Sequence, residues 1–153
     1  MCMPGRTDAV TLAQYMITRC TNAGHPVSNL HLQKILYLLQ EEWLGTHDEP
    51  LFPNTICAWK YGPVVVDVNR LYRGYGASGI IAQYDDAEMD DEARDFVDSR
   101  LDGLRSVEVW KLVDRTHEPG TPWDRIFRNG AGEYQEIPVK EIRRYARERG
   151  NTP

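Results

Sequence analysis

The sequence predicts a mainly α fold, about six helices around one core with a small antiparallel β element. Three observations predict it. Apolar residues recur every three or four positions through most of the chain. Capping residues and glycines bracket those segments. Short β-prone runs occur only beside Gly-Pro or glycine-rich turns.

Thr7 or Asp8 caps a first helix running to about Ala23, with Ala9, Leu12, Ala13, Met16, Ile17 and Cys20 on one face. Gly24 follows as its stop signal. Ser28 caps a second helix reaching about Leu44 and closed by Gly45. Its apolar positions are Leu32, Ile35, Leu36, Leu39 and Trp43, while Gln33, Lys34, Gln40 and Glu41 are expected away from that face. The Gly-His-Pro turn between the two reads as a helical hairpin.

Pro50 and Pro53 break the next segment into a loop, and Thr55 to Lys60 is the best strand candidate. Gly62-Pro63 ends it. Pro63 then suits the first turn of a third helix, where its missing N–H costs little, carrying Val64, Val68, Leu71, Tyr72 and Tyr75 to Gly76. Residues 77–89 read as a loop. Asp85, Asp86, Glu88, Asp90, Asp91 and Glu92 precede an apolar pattern at Ala93, Phe96, Val97, Leu101 and Leu104, as carboxylates favour a first helical turn. They lack the spacing of an EF-hand loop, so no metal is expected.

Ser106 is read as the cap of a fifth helix to about Thr116, and Glu118 to Pro122 as a rigid turn delivering Trp123. Gly130 and Gly132 mark another loop, Glu133 to Ile137 a second short strand, and Pro138 the start of a last helix ending near Arg149. No shift of composition suggests a boundary. The expectation is one domain over 1–153, with 1–6 and 150–153 as flexible ends.

Composition narrows the function. The 153 residues are 41% apolar and 27% charged, ordinary globular values. The longest apolar run, Ile35 to Leu39, is too short for a membrane span, and the first ten residues lack an export pattern. A cytoplasmic protein is expected. Cys2, Cys20 and Cys57 share no Cys-x-x-Cys spacing, and the last two read as small core residues. A net charge of −5 disfavours nucleic acid and suits a basic partner. Lys140, Arg143, Arg144, Arg147 and Arg149 are the exception, read first as a solvated helix end whose cations suit the dipole.

No nucleophile elbow, phosphate loop or His-Glu-x-x-His is present, and His25, His31, His47 and His117 are scattered. A hydrolase using Cys57 or His117 has no supporting motif, so no catalytic residue and no cofactor are assigned. Two features stand out: Ala58-Trp59-Lys60-Tyr61-Gly62-Pro63-Val64-Val65, and Thr116-His117 followed by Pro122-Trp123. Architecture alone accounts for aromatics and prolines in such blocks, yet exposed tyrosine and tryptophan are also typical interface anchors.

With Leu30 to Tyr37, Pro50-Leu51-Phe52, Val68, Tyr72 and Tyr75-Gly76, these blocks follow a recognisable order. In that order the chain resembles the Panacea antitoxin domain family, which includes SocA-like proteolytic adaptors and GepA-like proteins of phages and mobile elements. The family often has Pro and Tyr where this sequence has Val66 and Asn69. The resemblance implies an antitoxin that neutralises a cognate protein toxin by binding it. Its alternatives are an adaptor handing the toxin to an ATP-dependent protease, or a DNA-binding regulator using the arginine-rich helix. Lys60, Tyr61 and His117 are the expected partner contacts, with Trp59, Gly62, Pro63 and Trp123 shaping the site.

Overall fold

The first two helices are capped where the sequence places their caps. The computed structural model describes residues 7–85 and 88–150, so Cys2, Asp86 and the ends 1–6 and 151–153 lie outside the described residues. Helix α1 (Ala9–Asn22) begins at Asp8, whose carboxylate accepts from the Val10 N–H at 2.9 Å. It stops before Gly24, at φ +77°. Helix α2 (Asn29–Leu44) begins at Ser28, whose hydroxyl accepts from the His31 N–H at 3.1 Å.

Then comes an antiparallel pair, β1 (Ile56–Trp59) and β2 (Gly62–Val65), in register Ile56 with Val65 and Trp59 with Gly62. Helix α3 (Val66–Tyr72) follows, continued by a 3-10 turn at Arg73–Tyr75. Helices α4 (Asp91–Ser106), α5 (Val109–His117), α6 (Pro122–Phe127) and α7 (Val139–Gly150) complete the described elements. The fold is mainly α with one small sheet, as the sequence predicts.

Helix α2 is the axis of the molecule, packing against α1, α3, α4, α5, α7 and β2. Every residue from Leu32 to Gln40 is buried. This corrects the expectation that Gln33, Lys34 and Gln40 lie on a solvated side. A helix walled in all round has no polar face, so each of these side chains binds a backbone group that would otherwise be orphaned. Gln40 accepts from the Leu51 N–H at 2.7 Å and donates to the Phe52 carbonyl at 2.9 Å. The Pro50-Leu51-Phe52 loop is thereby fixed to α2, with Leu51 and Phe52 buried in the core.

Four other expectations are corrected. Gly62 and Pro63 belong to a strand, not to a helix start, because the chain folds straight back on β1. Helix α3 therefore starts at Val66, and Leu71 and Tyr75 are exposed. Ser106 is the last residue of α4, its hydroxyl donating to Gly103, and Glu108 caps α5 through the Trp110 N–H. The turn before Trp123 is present over residues 118–121, but Pro122, read as its last residue, opens a short helix capped by Thr121.

Residues 133–137 run beside β1 with a single bridge, Cys57 to Glu136, held also by Tyr134 N–H to Ala58 O at 2.7 Å and Ile137 N–H to Ile56 O at 2.8 Å. Cys20 is buried, whereas Cys57 is only partly so. The 77–89 loop is tied down where it is described. Ile80 is buried and its N–H donates to Val27 O at 2.7 Å, while Tyr84 N–H donates to the Thr18 hydroxyl at 2.9 Å.

The arginines of α7 are engaged within the chain, where a solvated helix end was expected. Arg143 donates to the Asp48 carbonyl, and Arg147 reaches the Asp48 carboxylate at 3.1 Å and the His47 carbonyl at 3.2 Å. Arg144 holds Glu141 and Glu148, each at 2.9 Å. The cations thus clasp the segment just after α2, where exposed carbonyls favour positive charge. No helix of the described residues is long and apolar enough to cross a membrane.

Candidate functional site

The β hairpin is held from behind by α2. Lys34 is fully buried and donates from Nζ to the Pro63 carbonyl at 2.8 Å. Its neighbour Gln33 accepts from the Val65 N–H at 2.7 Å. Together they satisfy the outer edge of β2, which would otherwise present unpaired groups. This is the physical reason Leu-Gln-Lys and Gly-Pro-Val-Val occur in one sequence: the first block completes the second.

Gly62 makes the fit possible. It adopts φ +115°, and a Cβ there would lie 2.9 Å from Lys34 Cε and 3.0 Å from Thr116 Oγ1. Both the backbone angle and the space therefore require glycine. Burial lowers the Lys34 amine from 10.5 to about 7.

Helices α5 and α6 support the turn from the side. Trp123 donates from Nε1 to the Trp59 carbonyl at 2.8 Å, and Thr121 donates to the Thr116 carbonyl at 2.9 Å. His117 packs on the Trp123 ring at 3.9 Å. Burial lowers its pKa below the usual imidazole value, and Lys34 nearby adds to the effect. Its Nε2 is buried and has no hydrogen-bond partner among the described residues.

The outward side of the hairpin is aromatic. Tyr61 and Trp110 are 50% and 49% exposed and meet edge to face at 5.7 Å. Lys60 Nζ lies 5.5 Å from the Tyr61 ring centre. Tyr134, 65% exposed, stands edge-on to Trp59 at 5.6 Å. Beside these rings opens a cleft of about 350 Å³, lined by Trp59, Lys60, Tyr61 and Tyr134 and by Asn29 and Asn69. Large exposed rings around a concavity are unusual on a surface that is otherwise charged, and they suit protein recognition.

The residues singled out from sequence thus separate into two groups. Lys60 and Tyr61 reach the open cleft, and Trp59 forms part of its wall. His117 and Trp123 sit behind the hairpin, and Gly62 and Pro63 within it set its path. Reading the sequence missed Lys34, Gln33, Asn69, Trp110 and Tyr134. Lys34 and Gln33 were visible in the Leu-Gln-Lys block but were assigned to a solvated side. Trp110 and Tyr134 carry no local signal, because they join the hairpin only in three dimensions. Among the described residues, no group of three or more His, Cys, Asp or Glu is placed to hold a metal.

Comparison with known proteins agrees with this geometry. The family model described as "Antitoxin SocA-like, Panacea domain" matches residues 32–124, which run from α2 through the hairpin to α6. The chain is similar to "Antitoxin SocA" of Caulobacter vibrioides (strain NA1000 / CB15N), at 28% identity over 141 residues, covering 84% of this chain and 74% of that protein. No solved structure matches the chain. The matched span contains the Lys34–Gly62–Thr116 junction whole, and by it the chain belongs to the SocA-like Panacea antitoxin family.

Proposed function

We propose that this chain neutralises a cognate protein toxin by binding it directly, with the aromatic side of the hairpin as the contact face. The observation that carries the reading is the exposed pair Tyr61 and Tyr134 lining a cleft, with Trp110 packed on Tyr61 beside it, on a chain of an antitoxin family. Buried aromatic anchors dominate protein interfaces, and a standard interface would bury about 800 Å² on this side. The reading asks for no catalytic chemistry from this chain. Lys60 and Tyr61 are the proposed contacts. His117 contributes from behind, by packing on Trp123, whose indole binds the Trp59 carbonyl.

Co-expression with the product of the neighbouring gene tests this, scored by growth and followed by a pull-down. Tyr61→Ala removes a half-exposed ring, so circular dichroism should be unchanged while rescue and complex formation are lost. Intact rescue would remove Tyr61 from the interface. The protease-adaptor reading is separated by toxin half-life in cells. A half-life unaltered by this chain excludes delivery to a protease. A DNA-binding role through α7 is disfavoured, since Arg143, Arg144 and Arg147 are already paired within the chain.

A further inference from the structure

A relay of three amides runs from the hairpin into the cleft, and its polarity is set by the backbone. The Val65 N–H can only donate, so the Gln33 atom 2.7 Å away is the carbonyl oxygen. Gln33 must then donate from Nε2, which it does to Asn29 Oδ1 at 3.2 Å. Asn29 in turn donates from Nδ2 to Asn69 Oδ1 at 2.8 Å. The chain of donations ends at the Asn69 amino group. That group has no acceptor among the described residues, although Asn69 is only 8% exposed and lines the cleft. The amino group is not sealed off but opens to the cleft, so a ligand that supplies an acceptor there can take it up, and a charged acceptor makes the stronger hydrogen bond.

Both cations of the cleft add to this donor set. Lys34, behind the cleft, donates to Pro63 and has two further N–H donors when charged. Lys60 has no salt-bridge partner among the described residues, and its ammonium stands by the Tyr61 ring. Glu133 is the one carboxylate lining the cleft, among twelve lining residues. Net charge of −5 governs encounter at long range, whereas this local donor set governs what docks. The rings of Trp59, Tyr61 and Tyr134 would cover the aliphatic stem of the incoming side chain.

We infer that the cleft is a receptor for an acidic side chain of the partner protein, an Asp or Glu carboxylate that accepts from the Asn69 amino group beside Lys60. This rests on the aromatic face being the toxin-binding face, and it makes Asn69 a specificity-determining residue of that face.

The test uses the whole chain and a small probe, N-acetyl-glutamate N-methylamide, titrated while the side-chain amide signals of Asn29 and Asn69 are followed by NMR. Saturable shifts at both are expected, with affinity about tenfold above that of the glutamine analogue, since a charged acceptor strengthens the hydrogen bond. A peptide offering only a C-terminal carboxylate is the competing arm, and tighter binding of that probe would overturn the side-chain assignment. Asn69→Asp keeps an oxygen to accept from Asn29 but replaces the outward donor by a carboxylate oxygen. This variant should stay folded by circular dichroism, although the charge at a mostly buried position lowers its melting point, and it should lose the glutamate probe and bind the lysine analogue instead. Unchanged preference for glutamate in Asn69→Asp, or no shift at Asn69 with any probe, would overturn the inference. Toxin rescue gives the independent readout. If Tyr61→Ala abolishes rescue while Asn69→Asp retains it, the toxin face stands and the carboxylate receptor falls; if neither affects rescue, the face itself is wrong.

Discussion

Replacing Lys34 by methionine asks whether a buried amine holds the hairpin, and pH supplies the scale. The two side chains are similar in length, so packing beside Gly62 is kept while the donor to Pro63 is lost. An unpaired buried carbonyl costs about 1–3 kcal/mol. Against this, methionine spares the folded state the burial of an ammonium group. The sign of the pH effect follows from the lowered pKa. The unfolded chain keeps the Lys34 proton up to the ordinary 10.5, whereas the folded chain releases it near 7. Between those values the unfolded state binds more protons, so the wild-type stability rises with pH. The slope approaches about 1.4 kcal/mol per pH unit. Between about pH 7 and about pH 9 the wild type therefore gains roughly 2 kcal/mol that Lys34→Met does not. For a chain of this size that widens the melting gap by about 4–8 °C. His117 is lowered too and stays neutral over the window, so it does not confuse the difference. Thermal melts of both proteins, followed by circular dichroism across that range, measure the gap. A gap that is constant or narrows as pH rises refutes the argument, because the lysine would then be solvated or charged throughout.

Gly62→Ala is expected to lower stability by about 1–3 kcal/mol through backbone strain alone, and the clash with Lys34 adds to it; urea midpoints check this, and a near-wild-type midpoint would contradict the observed φ. Gln40→Leu leaves the Leu51 N–H and the Phe52 carbonyl unpaired, at about 1–3 kcal/mol each. Hydrogen exchange at Leu51 should quicken with it, and unchanged protection would show that the loop is held by other means. Arg147→Ala removes the contacts to the His47 carbonyl and the Asp48 carboxylate, both at an exposed position. About 1 kcal/mol of destabilisation is expected, with no change in DNA retention at low salt; lost retention would revive the nucleic-acid role.

Helix positions were legible because caps and periodicity are local. Asp8, Ser28 and Asp90 each sit at a cap and accept from a first-turn N–H. The start of α3 was misread because Pro63 favours both a helix first turn and an extended edge. Only the pairing with β1 decides between them. Burial of Lys34 and Gln33 was misread for a related reason. Periodicity assigns polar residues to solvent, yet a central helix has no solvent side, and the backbone groups these residues satisfy lie about thirty residues away (Lys34 to Pro63 is a separation of 29). Tyr61 and Trp110 form one patch although 49 positions part them (110 minus 61), and no local pattern encodes that meeting. Family resemblance bridged part of this distance by naming Tyr61, but it was silent on Trp110.

The two sides of the hairpin do different physical work, and this bears on how one fold can serve different partners. Inward, Lys34, Gln33, Gly62 and Trp123 fix the backbone through buried hydrogen bonds, where most substitutions would cost folding. Outward, Lys60, Tyr61, Trp110 and Tyr134 are exposed, and surface changes of this kind generally alter stability by about 0.5 kcal/mol or less. Asn69 lies between, its oxygen bound to the frame and its amino group turned to the cleft. A substitution there can alter recognition while the frame persists, provided that the new side chain still accepts from Asn29. Partner choice would then vary at the outer rings and at the end of the amide relay. The buried junction of Lys34 with Gly62 would hold the proposed contact face in place throughout.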